Sequence, residues 1–430
     1  MRRFAISTVA GVAVAASALA LAGCGSSNNL SSSTPSSVSG ANSATAVATS
    51  AGTAHGKPIT ILGFGPINVP VVSAPGVQRG FQIAADAINN AGGVDGRPLK
   101  LLFCNDQFQA SIRAGCVRTG QSAGAVAAYS NSCYTACQNL NSAGLPFINA
   151  VSEPEDASLP NEFPWSNGAT GSAIALPFAL KRAGAHKVAV VAIDLPPGVA
   201  KGQLEAQAAK RAGLQVVGTI LFPATTTDYS PFAEKVKQSG ADSVMFVAGL
   251  AEVTSAIGAM QALGLNLKYA TFEPSLTPAV ANTLGAAGKE IVTASMVPPA
   301  TATTIPAIEQ FISEAKAAGV TNSAEWDSWT IWSWATAHAI ANALEKVKGT
   351  ITAASFLKTL QTWPAGTTID VAGLTKWDPS AKGSSAYGAA RAGNGAQWLT
   401  TYANGNQELF QQAPLDSWQA MGSAPAGSQG

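Results

Sequence analysis

GAVAAYSNSCYTACQNLNSAGLPFINAVSEPE, residues 124–155, decides how the chain is read. A short apolar run, Ala125 to Ala128, stops at the polar turn Tyr129-Ser130-Asn131-Ser132. A helical segment follows, then a second apolar run, Leu145 to Ile148, and another polar turn ending in Ser152. Two strands that each stop at small hydroxyl residues and are joined by one helix form a βαβ unit. The loops at the carboxyl ends of such parallel strands are where ligands sit.

Working outward, the alternation of apolar strand and amphipathic helix continues on both sides. Upstream stand strand Ile59 to Phe64, a helix from about Gly76 to Asn90, strand Leu99 to Cys104 and helix Ala110 to Ser122. The first of these helices turns Phe81, Ile83, Ala84, Ala87 and Ile88 inward and ends at the glycine-rich turn Gly92-Gly93-Val94-Asp95-Gly96. Downstream of Phe163-Pro164-Trp165-Ser166 a second run begins, with strands Lys187 to Ile193, Gln215 to Leu221, Ser243 to Val247, Tyr269 to Phe272 and Glu290 to Ala294, each separated from the next by a helix. Two βα lobes in tandem are the expectation. After Pro298-Pro299 come two helices, Pro306 to Ala318 and about Ser323 to Lys348, the second carrying Trp326, Trp329, Trp332 and Trp334. Packing in the core and between lobes is expected of these indoles; a stacking platform for a ligand is the alternative. Strands around Trp377 and Trp398, the latter turning at Asn404-Gly405, close the chain.

A chain of 430 residues that is 47% hydrophobic can bury sizeable cores, and roughly two or three domains are expected. Only 11% of residues are charged and the formal net charge is +1, with Lys and Arg scattered singly, which excludes a basic nucleic-acid footprint. Arg2 and Arg3 precede an apolar run from Val9 to Ala22 that is too short for a comfortable membrane span and reads as a secretory signal. It ends in Leu21-Ala22-Gly23-Cys24, which matches the bacterial lipobox and implies thioether lipidation of Cys24 after cleavage. Residues 25–56 are small and polar, a composition expected to form a disordered tether.

Secretion puts the thiols in an oxidising compartment. Besides Cys24 there are Cys104, Cys116, Cys133 and Cys137, which allow three pairings. Cys104 ends a strand and Cys116 lies in the following helix, while Cys133 and Cys137 flank a helix start, so 104–116 with 133–137 is favoured. A metal site is not expected: there is no CxxC, and His55, His186 and His338 are far apart.

Gly80-Phe-Gln-Ile-Ala-Ala-Asp-Ala-Ile-Asn89 followed by Ala91-Gly-Gly-Val-Asp-Gly-Arg97 resembles the opening of the branched-chain amino-acid-type (type I) periplasmic binding proteins of ABC transporters, whose helix there ends in INxAGGxxGR. Thr227-Asp-Tyr-Ser-Pro-Phe232 is similar to the family's TDFSPL, and Leu374-Thr-Lys-Trp-Asp378 to its late LTWD, in the right order. The resemblance implies an α/β fold of two Rossmann-like lobes with parallel sheets joined by a three-crossing hinge, with ligand bound between them. Residues 1–23 would be the signal peptide, 24–56 the lipidated Cys and tether, 57–170 plus 300–395 the N-terminal lobe, and 171–299 plus 396–430 the C-terminal lobe.

Site residues carry over only where this chain matches. Ser130 falls at the family serine that receives the ligand carboxylate, and Ala150 and Ser152 fall in the family's AxTxPE, whose backbone and hydroxyl also hold it. Both serines could instead be plain helix caps. Glu273 lies where the family places an acidic partner for the ligand ammonium; an exposed loop glutamate is the alternative. The chain departs from amino-acid binders at Gly249-Leu250, where they have a tyrosine, and at Leu195-Pro196-Pro197-Gly198. Leu250 is therefore expected to help shape a different pocket, and leucine or valine specificity is not transferred.

The resemblance thus implies a solute-binding lipoprotein of an ABC importer on the outer face of the cytoplasmic membrane. It would capture an amino acid or related amide or carboxylate by hinge closure, with the permease's transmembrane subunits as partner. A monomer without cofactor or metal is expected. A ligand-sensing lipoprotein of the same fold, signalling to a membrane partner, is the alternative. An enzyme is not expected: no GxSxG, HExxH or phosphate loop is present, and a hydrolase using Ser130 would need a base in contact, whereas the histidines lie outside the predicted rim.

Overall fold

The computed structural model describes residues 44–69, 73–151, 154–272, 276–382, 391, 393–403 and 405–422. The first sheet is built from β1 (Thr45–Ala46), β2 (Ile59–Gly65), β3 (Leu99–Asn105), β4 (Ala127–Tyr129), β5 (Phe147–Ala150) and β6 (Glu162–Ser166), in the order β1-β3-β2-β4-β5-β6. All neighbours are parallel except β1, which is antiparallel to β3. Helices α1 (Gly76–Asn90), α2 (Ala110–Ser122) and α3 (Cys137–Ser142) connect the strands and cover the faces. Strands buried on both faces read as continuous apolar runs rather than alternating ones, which is why Leu101–Cys104 and Ile61–Phe64 were recognisable.

Two elements here differ from the expectation. Phe163-Pro164-Trp165-Ser166 was expected only as the lead-in to the second run, yet β6 forms at Glu162–Ser166, and Pro164 is tolerated there because β6 is the sheet edge, where a missing N–H costs no ladder bond. The second is the end of the expected tether. Residues from Ala44 onward are laid on the other edge: Thr45 pairs with Phe103, Val47 N donates to Leu101 O at 3.0 Å, and Gln82 Nε2 donates to Ala48 O at 2.9 Å. Buried Asn89 donates to Ser50 O (2.6 Å) and Leu99 O (3.0 Å) while accepting from Leu99 N (2.7 Å). Edge pairing uses backbone groups that every residue carries, so small polar composition gave no warning of it.

The second sheet follows α4 (Gly168–Arg182). Its strands are β7 (Lys187–Ile193), β8 (Gln215–Phe222), β9 (Ser243–Val247), β10 (Lys268–Phe272) and β11 (Ile291–Ser295), joined through α5 (Pro196–Arg211), α6 (Ser230–Ser239), α7 (Leu250–Ala262), α8 (Pro278–Thr283) and α9 (Ala286–Lys289). The chain then forms α10 (Pro306–Ala317), α11 (Ser328–Leu344), α12 (Ala353–Gln361) and the small hairpin β12 (Ile369–Val371) and β13 (Thr375–Trp377). Finally β14 (Ala396–Ala403) returns to pair antiparallel with β11, followed by β15 (Asn406–Leu409), β16 (Leu415–Asp416) and α13 (Ser417–Ala420).

Two separate sets of cores result. One joins Ile61, Phe81 and Tyr129 of the first sheet and its helices to Trp332, Trp334 and Phe356 from the late helices. The others join the faces of the second sheet, with Leu399 and Tyr402 of β14 included. The tryptophans are core: Trp332 and Trp334 are fully buried, Trp332 stacks on Trp165, and the Trp334 indole donates to Glu314 Oε2 at 2.7 Å.

Three crossings connect the sheets, between β6 and α4, between β11 and α10, and between β13 and β14. The first and third are hydrogen-bonded to each other, Asn394 N to Trp165 O (2.9 Å) and Asn167 N to Asn394 O (3.1 Å). Disulfides join Cys104 of β3 to Cys116 of α2 and Cys133 to Cys137, with Cα separations of 5.8 and 5.0 Å.

Candidate functional site

The end of β4 is held rigidly. The Tyr129 ring stacks on Phe81 with centroids 4.6 Å apart, and its hydroxyl donates to Val77 O at 2.8 Å. Burial pushes that phenol far above its ordinary value, so it stays a neutral donor. Gly63 of the neighbouring strand has no alternative, because a β-carbon there would lie 2.6 Å from the Tyr129 ring. Ser130 follows directly and is 1% exposed.

β5 ends beside it, with Tyr129 opposite Ile148 in the parallel register and Ala150 fully buried. Ser130 and Ala150 are thus brought to the same end of adjacent strands. Asp156 ties the two together: its Oδ1 accepts from Ser132 Oγ (2.7 Å) and Cys133 N (2.8 Å), and its backbone carbonyl accepts from Asn149 Nδ2 (2.6 Å). The sequence reading missed Asp156, since nothing in a lone acidic residue 24 positions downstream marks it as an anchor. The start of α4 closes on this rim. Thr170 N donates to Val151 O at 3.3 Å, and Gly168 (φ +50°) approaches so closely that a β-carbon would lie 2.6 Å from the same oxygen.

Strained backbone gathers at the same rim. Asn68 after β2, Gln107 and Phe108 after β3, and Tyr134 after β4 all have positive φ, between 44 and 60°. Such conformations persist only where the surroundings over-determine them, and they cluster at ligand clamps. Here the surroundings are explicit. Arg113, buried in α2, binds Asp106 Oδ2 through Nε at 2.6 Å, and its guanidinium lies over the Phe108 and Tyr134 rings at 4.8 and 4.5 Å.

On the second sheet the corresponding ends carry Leu195 after β7, Gly249-Leu250 after β9, and Phe272 closing β10. Leu250 packs against the core of its own sheet, whereas Phe272 packs against the first core. Among the described residues, the exposed large apolar side chains are Phe108 (39%) and Leu195 (43%), one at a strand carboxyl end of each sheet. Ser152, Glu273 and Cys24 lie outside the described residues.

Among the described residues the histidines lie away from Ser130. His186 precedes β7, at the opposite end of the sheet, facing Asp242 at 3.6 Å; His338 contacts Glu314 at 3.0 Å between α11 and α10. Burial raises the Glu314 carboxyl, but the hydrogen bond and charge of His338, with Gln310 and Trp334, bring it below its ordinary value. The sulfurs of Cys133 and Cys137 and a carboxylate oxygen of Asp156 lie within 4.8 Å of one another, but both sulfurs are committed to a disulfide and offer no thiolate. What the described residues show is a closely braced rim around Ser130 and Ala150.

The sequence profile of the family described as periplasmic binding protein matches residues 68–397, and the chain belongs to that family. No curated protein matches its sequence. Similar solved structures include an extracellular ligand-binding receptor from Verminephrobacter eiseniae, 19% identical, with a TM-score of 0.66, covering 81% of this chain and 99% of its own. A solute-binding protein of an ABC transporter from R. palustris in complex with 4-hydroxybenzoate is 15% identical, TM-score 0.67, covering 84% and 97%. A fatty acid ABC transporter substrate-binding protein from Thermomonospora curvata is 14% identical, TM-score 0.68, covering 87% and 96%. At these identities the likeness is one of fold, and the fold is the type I periplasmic-binding-protein fold. Among the described residues no helix is long and apolar enough to cross a membrane.

Proposed function

We propose that the protein is the solute-binding component of an ABC importer, held at the outer face of the cytoplasmic membrane by lipid on Cys24. It captures a small carboxylate-bearing ligand between two lobes, residues 57–170 with 300–395 and 171–299 with 396–430, and presents it to permease subunits as a monomer. The observation that carries this reading is that buried Ser130 and Ala150 end two adjacent parallel strands side by side, at the rim where strained residues gather. An anion there meets fixed N–H and O–H donors without a counter-charge to desolvate. Ser152 would add a hydroxyl from the first lobe, and Glu273 and Leu250 would face the rest of the ligand from the second. The ligands named for two structural neighbours, 4-hydroxybenzoate and fatty acid, differ in body and share a carboxylate, which agrees with a common anchoring end. No step of this function is catalytic.

A thermal-shift and calorimetric screen of the purified protein against amino acids, amides and small carboxylates tests the reading. A bound carboxylate is expected to lose at least about tenfold in affinity with Ser130→Ala, equivalent to one charge-assisted hydrogen bond. A ligand that lost no affinity when Ser130→Ala and Glu273→Gln were combined would place the site elsewhere.

A further inference from the structure

Buried acids in this chain are otherwise provided for: Asp106 meets Arg113, Asp156 accepts from Ser132 and Cys133, and Glu162 accepts from Leu159 N at 2.7 Å. Glu205 of α5 stands apart. It is 2% exposed, and among the described residues its Oε2 is the buried carboxylate oxygen with no hydrogen-bond partner. A carboxyl left so carries a desolvation cost that an alanine or leucine would not incur.

The group borders a cavity of about 110 Å³. Its other walls are Ala169 and Ala173 of α4, Lys201 one turn earlier on α5, Phe246 and Ala248 at the end of β9, and Phe272 at the end of β10. Two independent facts place that space on the binding side of the fold. It lies at the carboxyl ends of parallel strands, where ligands enter such sheets. It is also walled by the first turn of α4, whose Thr170 N–H is bonded to Val151 of the Ser130 rim. About 110 Å³ holds roughly three or four waters at ~30 Å³ each, or one small functional group, and is well short of the several hundred needed for a whole ligand. The space has the size of a subsite rather than of a whole site.

We infer that Glu205 is a specificity-determining residue that receives a hydrogen-bond-donating group, an amine, amide or hydroxyl, at the end of the ligand remote from its carboxylate. Small alanines on α4 leave the room, Phe246 and Phe272 line it, and the unpartnered oxygen supplies the acceptor. Burial pushes the Glu205 carboxyl up to about 8, against a smaller opposing effect of Lys201, so a neutral hydroxyl or amide meets a protonated carboxyl at neutral pH, whereas an amine would expel that proton. Among the described residues Lys201 is the charged group beside it, and the described walls from α4, β9 and β10 are apolar.

This inference rests on the solute-binding reading, and the test separates the two. Calorimetry on the full chain would compare probes that share a carboxylate and differ at the far end: 5-aminovalerate and 5-hydroxyvalerate against valerate, and 4-aminobenzoate and 4-hydroxybenzoate against benzoate. At least one donor-bearing probe is expected to bind about tenfold or more tighter than its apolar partner. In Glu205→Leu that preference should vanish while the apolar probe binds as well as before, with the variant's melting temperature unchanged or raised. Proton release on binding marks an amine as the preferred donor, and its absence a hydroxyl or amide. The same preference in Glu205→Leu, or tightest binding by the apolar probes, overturns the assignment and leaves the solute-binding reading standing. If no carboxylate binds, that reading loses its anchor, and methylammonium and formamide decide the subsite alone. A shift of melting temperature in the wild type that Glu205→Leu abolishes upholds it, and no shift overturns it.

Discussion

Gly80 of α1 faces Thr330 of α11 so closely that a β-carbon on it would stand 2.0 Å from the Thr330 carbonyl oxygen. Gly76, one turn earlier, is also constrained, since a β-carbon there would lie 2.4 Å from Asp327 Oδ1 and 2.6 Å from Thr330 N. These two glycines let a helix from late in the chain lie directly against the first helix, which is how residues after the second lobe rejoin the first core. Gly80→Ala is therefore expected to destabilise the protein by about 2–3 kcal/mol or more, through forced backbone shifts. Gly258, exposed in α7 with nothing within 4 Å of its would-be β-carbon, provides the opposite case. Gly258→Ala should stabilise by about 0.5–1 kcal/mol. Urea midpoints that moved the same way in both variants would contradict the close contact.

Asp106 and Arg113 form a pair with side chains only 2% and 3% exposed, and the pair also seats Phe108 and Tyr134. Removing one partner leaves the other charge buried, so Asp106→Ala is expected to cost about 3–5 kcal/mol. Replacing both, as in Asp106→Leu with Arg113→Met, should restore much of that. Because Phe108 and Tyr134 have left-handed backbone held by this cluster, the single variant should also expose the rim to proteolysis between β3 and α2, read by limited digestion.

The repeating strands and helices were legible because each buried strand is a continuous apolar run and most helices end at glycine; Ala110–Ser122 and Lys187–Ile193 were read to the residue. The two turns that follow the parallel strands could be picked out as the place where a ligand sits, while Ser130 and Ala150 themselves were named only through the resemblance to the binding-protein family. What stayed illegible rests on contacts distant in sequence or on bare backbone. Asp156 acts by bridging two loops, β1 by pairing an edge, and Glu205 reads as an ordinary helix acid until α4 and β9 surround it. The positive φ of Phe108 and Tyr134 runs against the local preference of aromatic residues and is braced both by the turn bonds Phe108 N to Asp106 Oδ1 and Tyr134 N to Ser132 Oγ and by Arg113 over the two rings.

The two disulfides close loops of different length, with sequence separations of 12 and 4. Loop-closure entropy then predicts about 3 kcal/mol for the Cys104–Cys116 bond and about 2 kcal/mol for Cys133–Cys137. Cys104→Ala with Cys116→Ala should accordingly lower the urea midpoint more than Cys133→Ala with Cys137→Ala. The second pair has another consequence: it borders the Asp156 knot behind Ser130, so its loss should weaken ligand binding more than the first pair's does. Calorimetry on the two double variants checks the inversion, stability ranking one way and affinity the other.

The pH dependence of stability should carry the mark of Glu205. Its carboxyl, ordinarily near 4.5, is pushed up to about 8 by burial. Below about pH 4.5 both folded and unfolded chains hold the proton and the group has no effect. Between there and about pH 8 only the folded chain holds it, so unfolding releases a proton and stability falls as pH rises, by at most ~1.4 kcal/mol per pH unit. Above about 8 the loss is complete and the curve levels. Glu162, raised to about 7 chiefly by burial, imposes a similar decline over a shorter range and remains in any Glu205 variant. The signature is therefore a difference: the stability of Glu205→Gln minus that of the wild type should widen from about pH 4.5 to 8 and then stay constant, measured by urea unfolding in matched buffers. A gap that did not change with pH would mean that the Glu205 carboxyl is already ionised in the folded protein. A ligand amine that pairs with it should narrow the gap at high pH, where the unpaired charge is most costly.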